Sequence, residues 1–351
     1  MIKEKRIAFF GCKGITESCM KYFIDDIGPI DYLITISPEE GEINKVADYK
    51  DLSEFARFND IDVYNAEQYS MRSKKDSEFI KNLDLDIAFV IGWQRLIPVN
   101  ILNVIKTGVF GMHGSAYDLP KGRGRSPMNW SLILNRNQFY TNLFKYENNV
   151  DGGDILDSQK FDINEFDTIE TLHFKNMISM SRLIYKNIND IIINDLKLRS
   201  QNNDVATYYP KREPYDGFID WNLKTRDIYN LTRAVTKPFP GALSTIDGYL
   251  IKIWTLYPFT KSWKYADALN GEIVEVFYNK KFVVKTPDSC ILVHDYDIKK
   301  KELITKGSIL VGKDYRETYQ KIESRYYEPI EECKKEITLK KMEGFYNTGS
   351  Y

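Results

Sequence analysis

The sequence predicts an α/β protein, with a mostly parallel sheet domain followed by a small β-barrel. Three observations carry this. Short apolar runs alternate with helix-period segments over about the first 200 residues, which is the rhythm of βαβ units. A polar, Pro-interrupted stretch at 199–216 (RSQNNDVATYYPKREPYD) reads as a linker. Beyond it, strand-like runs separated by turn signals succeed one another after a single helical segment.

The elements follow in order. Residues 6–10 form the first strand and meet Gly11 and Gly14 in GCKGITES, with a helix running on to Phe23. A Gly-rich turn here either carries phosphate on the helix N-terminus or is simply tight, since G-x-x-G lacks the full dinucleotide fingerprint. Strands at 32–36, 61–64 and 87–91 alternate with helices near Leu52 and Phe79. Residues 167–194 give the clearest helix, with Ile169, Leu172, Met177, Met180, Leu183 and Ile184 as its apolar face, and it closes the first domain. A helix at 224–235 and the turn KPFPGA precede strands at 250–256, 271–277, 281–285 and 290–293. The predicted divisions are a Rossmann-like domain at 1–205, a linker helix and barrel at 206–305, and a charged, partly helical extension at 306–351.

A length of 351 residues excludes a single small module. Hydrophobic residues at 43% and charged residues at 28% exclude a disordered chain. Lys plus Arg (49) balance Asp plus Glu (50), so no global field draws the chain onto nucleic acid or acidic lipid. Apolar stretches such as DIAFVIGW at 86–93 fall far short of the roughly 20 residues of a membrane helix. MIKEKRIAFF shows no leader pattern, so the expected setting is cytoplasmic. Cys12, Cys19, Cys290 and Cys333 form no C-x-x-C pair, which predicts reduced thiols and neither a zinc site nor a disulfide framework.

Three histidines are available for chemistry. His173 lies within the long helix and His294 in a strand-like run, so both read as structural or exposed. His113 follows the apolar VFGM and opens HGSAYDLPKGRGRSP, at the strand edge where open parallel sheets place their sites. An imidazole there can take or give a proton at working pH. Downstream, VDGGDIL at 150–156 sets two carboxylates around a Gly-Gly turn. Such a turn lets backbone approach a ligand closely; the alternative is an ordinary acidic hairpin turn.

Taken together, HGSAYDLPKGRGRSPMNWSLI and VDGGDILDSQKF resemble the folate-dependent formyltransferases, which include methionyl-tRNA formyltransferase and the nucleotide-sugar N-formyltransferases. AFVIGWQRLIPVNIL at 88–102 and FIDWNLKTRDIYNLTRAVTKPFPGAL at 218–243 extend the resemblance, which spans most of residues 5–300. It implies 10-formyltetrahydrofolate as donor, no metal, and an OB-like fold for the barrel. It implies His113 and Asp151 as the catalytic pair, and Trp93, Gln94, Leu96, Ile97 and the turn from Val150 to Asp154 as the pterin pocket. The family usually carries Asn two residues before the histidine, where this chain has Gly111. Removing one oxyanion donor commonly costs about 10² to 10³ in rate, and Asn129 or a water is the expected substitute.

For the acceptor, SPEEGEINKVADY after the second strand is more acidic than basic and would repel an RNA acceptor stem. A nucleotide-linked amino sugar needs only a few local cations, and Lys13, Lys121, Arg123 and Arg125 are the candidates. The expected activity is therefore formylation of such a sugar in surface-glycan biosynthesis, such as that of lipopolysaccharide, with nucleic acid not a partner. The alternatives are methionyl-tRNA formyltransferase, or a catalytically weak folate or sugar-nucleotide binder. Trp254 and Trp263 read as core or interdomain packing, and the barrel supports either the first domain or a homodimer. The tail from about Lys306 extends past the resemblance and reads as an exposed helix or an oligomer contact.

Overall fold

In the computed structural model, the described residues are 2–147, 149–263 and 265–327; Cys333 lies outside them. The first half runs β1 (Ile7–Phe10), α1 (Gly14–Asp26), β2 (Tyr32–Thr35), α2 (Pro38–Ile43), α3 (Ser53–Phe58), β3 (Asp62–Asn65), α4 (Lys74–Asn82), β4 (Ile87–Val90), α5 (Val99–Leu102) and β5 (Gly108–Ser115). It continues through the two-residue β6 (Arg123–Gly124), α6 (Pro127–Ile133), β7 (Gln138–Lys145), β8 (Ile155–Asp162) and α7 (Ile169–Ile193). After the two-residue β9 (Tyr208–Tyr209) come α8 (Thr225–Val235), β10 (Ala242–Ile246), β11 (Tyr249–Thr260), β12 (Ile273–Val276), β13 (Phe282–Lys285), β14 (Cys290–Ile298) and α9 (Tyr315–Tyr327).

A seven-stranded sheet has the order β3-β2-β1-β4-β5-β7-β8. β1 to β5 pair in parallel where they adjoin, and β7 pairs antiparallel to β5. β1 (IAFF) and β4 (IAFV) are apolar at every position and wholly buried, because a central parallel strand is covered on both faces. Phe9, Phe89 and Phe110 pack with α1 and α7 on one face. Ala8, Phe10, Val90 and Val109 pack with α4 and α5 on the other. The order reverses between β1 and β4, which opens a crevice at their C-terminal ends. Thr16 Oγ1 donates to the Ile91 carbonyl there (2.7 Å), and a Cβ on Gly11 would stand 2.2 Å from that same oxygen. Close packing of helix on strand therefore accounts for Gly11, while Gly14 faces open space.

Contacts divide the chain into two compact units: 1–123, 140–161 and 174–206 form the first, and 124–139, 162–173 and 207 onward the second. The chain passes between them repeatedly. The second unit holds a five-stranded antiparallel sheet ordered β10-β11-β14-β13-β12. Thr245 of β10 bridges to Val311, and Glu272, just ahead of β12, bridges to Ile309. β10 was not anticipated, because it follows directly on a Pro-Gly turn that reads as a breaker.

The 199–216 segment is largely exposed but anchored to the fold at several points. Arg199 exchanges backbone hydrogen bonds with Ile155 (2.9 and 2.8 Å), and Tyr209 is fully buried, stacked on Trp130. Several of the segment's polar residues, Arg199, Asn202, Asn203 and Asp204 among them, remain exposed. One expectation needs correction. Trp263 is not core: it is 56% exposed, edge-on to Phe259. Trp254 is half-buried, with its indole N–H on Asp297 (2.8 Å).

Candidate active site

Alternate residues of a strand share a face, so Val109, Gly111 and His113 of β5 point the same way. Val109 belongs to the α5-side core, and His113 continues that face toward the C-terminal end of the strand, 7% exposed. Its Nε2 lies 2.7 Å from the Gly122 carbonyl oxygen, and its Nδ1 lies 3.3 Å from Oδ2 of Asp151. Both neighbours accept, so a proton on either ring nitrogen finds an acceptor.

Asp151 is placed by an unusual turn. Its φ is +51°, a left-handed conformation that an Asp adopts at a cost and keeps only where surroundings enforce it. Gln201 does the enforcing, because its Nε2 donates to the carbonyls of Asp151 (2.9 Å) and Gly153 (2.6 Å). Gln201 Oε1 in turn accepts from Nε (3.2 Å) and Nη2 (2.6 Å) of Arg123, whose Nη1 donates to Asn203 (2.9 Å). Close approach of backbone requires glycine at 153, whereas at Gly152 the neighbour is the Asn149 side chain. A Cβ on Gly153 would stand 1.7 Å from the Lys145 carbonyl, and one on Gly152 would stand 2.3 Å from Oδ1 of Asn149. Lys145 N donates to the Asp154 carbonyl (2.8 Å), which ties the turn to the end of β7.

The loop after β4 is held differently. Trp93 packs edge-on to Tyr69 and Phe10, and Ile97 is fully buried. Gln94 N donates to the Tyr69 hydroxyl (2.8 Å), and the Arg95 guanidinium lies 4.9 Å over the Tyr69 ring. Burial, then the neighbouring Cys12, pushes the Tyr69 phenol well above its usual range; burial likewise raises the Cys12 thiol.

His113 and Asp151 are thus brought together. Leu96 and Val150 are exposed, and Lys13 lies beside Gly92, whose added Cβ would meet Lys13 Cβ at 3.2 Å. Lys121 is exposed, whereas Arg123 is buried and acts as part of the clamp on the Asp151 turn. Arg125 and Asn129 belong to the second unit. Asn129 is buried and its amide donates to the Ala234 carbonyl (2.7 Å), a bond it would have to give up to act elsewhere.

Sequence reading missed three features. Gln201 carried no signal beyond its place in a polar run. Asn142 lies directly across from His113 on β7, and its Oδ1 accepts from Ser158 (2.5 Å). Tyr146 follows β7; a Gly two residues before a reactive histidine hints at a bulky neighbour. Among the described residues, no cluster of three or more His, Cys, Asp or Glu is arranged to hold a metal.

With this geometry in view, the chain matches the formyl transferase family over residues 33–182 and the formyl transferase C-terminal domain over 211–313. Methionyl-tRNA formyltransferase of Fusobacterium nucleatum subsp. nucleatum is 28% identical over 272 residues, 77% of this chain and 84% of that protein. Bifunctional polymyxin resistance protein ArnA of Wigglesworthia glossinidia brevipalpis is 36% identical over 177 residues, which cover 50% of this chain and 27% of ArnA. The solved N-formyltransferase of Helicobacter canadensis, in complex with folinic acid and dTDP-3-aminofucose, shares the fold with a TM-score of 0.59. It is 22% identical, over 84% of this chain and 100% of its own. Both halves of the family pattern occur in order, one carrying His113 and Asp151 and the other the antiparallel sheet: the chain belongs to the formyl transferase family of enzymes.

Proposed function

We propose that this chain is an N-formyltransferase that moves a formyl group from 10-formyltetrahydrofolate to the amine of a nucleotide-linked amino sugar. The observation that carries the reading is His113 seated between a carbonyl and the Asp151 carboxylate at the strand edge of an open sheet. The residues present fit a reduced folate. Leu96 and Val150 expose apolar side chains, and the Trp93 indole N–H is buried with no hydrogen-bond partner among the described residues. Trp93, Gln94, Leu96, Ile97, Val150 and Asp154 would hold the pterin.

The bound donor supplies an activated formyl group on N10. Overall, one C–N bond forms between the acceptor nitrogen and the formyl carbon, the C–N10 bond breaks, and a proton from the amine ends on N10. His113 holds and moves that proton at Nε2 once the ring leaves the Gly122 carbonyl. Asp151 orients the ring through Nδ1 and balances its charge when it is protonated.

The acceptor assignment rests on charge. Exposed Glu39 and partly exposed Glu40 open α2 after β2, a poor surface for a phosphate backbone. Lys13 and Lys121 are the cations proposed for the diphosphate, with Arg123 acting through the turn. A cytoplasmic setting, a role in surface-glycan assembly, and closure of the antiparallel sheet into an OB-like barrel by residues 309–311 belong to the same proposal.

The test is mass spectrometry of dTDP- and UDP-linked 3-amino and 4-amino sugars incubated with enzyme and 10-formyltetrahydrofolate. Donor-dependent gain of one formyl group on a sugar nucleotide is expected. Formylation of methionyl-tRNA with every sugar left intact would overturn the acceptor. Folate and nucleotide each raising Tm with no acceptor consumed would mark a binding protein instead.

A further inference from the structure

Gly111 lies two positions before His113 on the same face of β5, and the volume its side chain would occupy is filled by Tyr146. A Cβ on Gly111 would stand 2.5 and 2.9 Å from Cδ2 and Cε2 of Tyr146, and 3.1 Å from Cζ of Phe144. The topology produces this. Phe144 opposes Gly111 across the β5–β7 pair, and Tyr146, two residues on, stacks on Phe144 with ring centroids 6.0 Å apart. Tyr146 N donates to the Val109 carbonyl (2.7 Å), which fixes the residue against β5. Its hydroxyl points toward the Arg95 carbonyl at 3.5 Å, the long limit of a hydrogen bond, so the donor is only weakly engaged. Burial, then the Asp151 carboxylate, raises the phenol well above its usual range, so it keeps its proton and stands within electrostatic reach of Asp151.

Resting on the formyl-transfer reading, we propose that Tyr146 is a catalytic residue whose O–H donates to the formyl oxygen as that oxygen gains charge, replacing the donor that Gly111 lacks. When the acceptor nitrogen adds to the formyl carbon, the carbonyl π pair moves onto oxygen, and the Tyr146 hydroxyl, turning from its weak bond to the Arg95 carbonyl, stabilises it. When the C–N10 bond breaks, the pair returns, and Tyr146 retains its proton throughout. A ring that merely filled space would do this equally well without its hydroxyl, and that difference is what the experiment reads.

Tyr146→Phe keeps the ring and removes one O–H. Two measurements apply: kcat and KM with whichever acceptor the wild type consumes, and the infrared formyl C=O stretch of bound 10-formyl-5,8-dideazafolate carrying a ¹³C-formyl label. The expected result is a fall of about 10² to 10³ in kcat, KM for the donor within about twofold, an unchanged Tm, and a C=O stretch at higher frequency than in the wild type. Tyr146→Ala vacates the space, and adding Gly111→Asn to it returns a donor at the neighbouring position, with recovery of at least about tenfold in kcat over Tyr146→Ala expected. Unchanged kcat and an unchanged C=O frequency in Tyr146→Phe would overturn the proposal while leaving formyl transfer intact. If the wild type binds folate but consumes no acceptor, the infrared shift alone decides. If the wild type binds no folate, the formyl-transfer reading fails and takes this inference with it.

Discussion

The two segments proposed to hold the donor are built on opposite principles. The loop at 93–97 is seated by burial, with Trp93 and Ile97 packed among Tyr69, Phe10 and the α5-side core. The turn at 150–154 is held by directed polar bonds, in which one glutamine, itself gripped by a buried arginine, pins the carbonyls of the left-handed Asp151 and of Gly153. Burial places a surface broadly and tolerates the loss of any one polar atom. A hydrogen-bond clamp aims one carboxylate and fails at a single amide. A flat ring needs only a wall, whereas a proton relay needs a defined distance.

The largest effect should come from the aimed pair. His113→Asn is expected to lower kcat by about 10² to 10⁴, and Asp151→Asn to do likewise, with donor affinity nearly unchanged in a binding titration. Asp154→Asn should stay within about twofold, since what fixes Asp154 to β7 is its backbone carbonyl. A severe Asp154→Asn and a mild Asp151→Asn would reverse the assignment and break the contrast.

Next comes the burial-held side. Trp93→Ala removes a large side chain from a closed core and should cost about 3 to 5 kcal/mol of stability, read as a lower urea midpoint. Gln201→Ala removes one partner from each of two carbonyls and from a buried guanidinium, at about 1 to 3 kcal/mol. The contrast sharpens if these variants split by readout. Gln201→Ala should lose kcat with KM little changed, because Asp151 is no longer aimed. Trp93→Ala should raise the donor's Kd. Gln201→Ala with wild-type kcat would show that the turn holds itself.

The same division explains what could be read from sequence. β1 and β4 were legible because buried parallel strands are continuous apolar runs, and His113 because it follows the apolar VFGM. The pairing with Asp151 came through the resemblance, since spacing alone says nothing of a 3.3 Å approach between residues 38 positions apart. Gln201 and the clamping role of Arg123 were illegible: a polar run looks the same whether it meets water or backbone carbonyls, and only the fold decides. Tyr146 was hidden for a related reason. Its partner is an absent side chain, and the vacancy at Gly111 gains meaning only when strand register sets the two side by side.

The smallest effect tests the burial-held loop through pH. Tyr69 and Cys12 are both raised in the folded state, mainly by burial. Their unfolded values lie near 10 and 8.5. Below about pH 8.5 both states keep these protons, and the contribution to stability is fully present. As pH climbs past those values the unfolded chain releases protons that the folded chain retains, so stability falls by up to about 1.4 kcal/mol per pH unit for each group. The Gln201–Arg123 clamp is made of amide, guanidinium and backbone, none of which titrates in that window. Urea midpoints measured from pH 8 to 11 should therefore decline less steeply in Tyr69→Phe than in the wild type. Gln201→Ala should keep the wild-type slope at a lower intercept, because the other buried tyrosines contribute equally to all three proteins. Parallel slopes for Tyr69→Phe and the wild type would mean that the phenol meets water in the folded state. The loop would then be held by something other than its apolar seat.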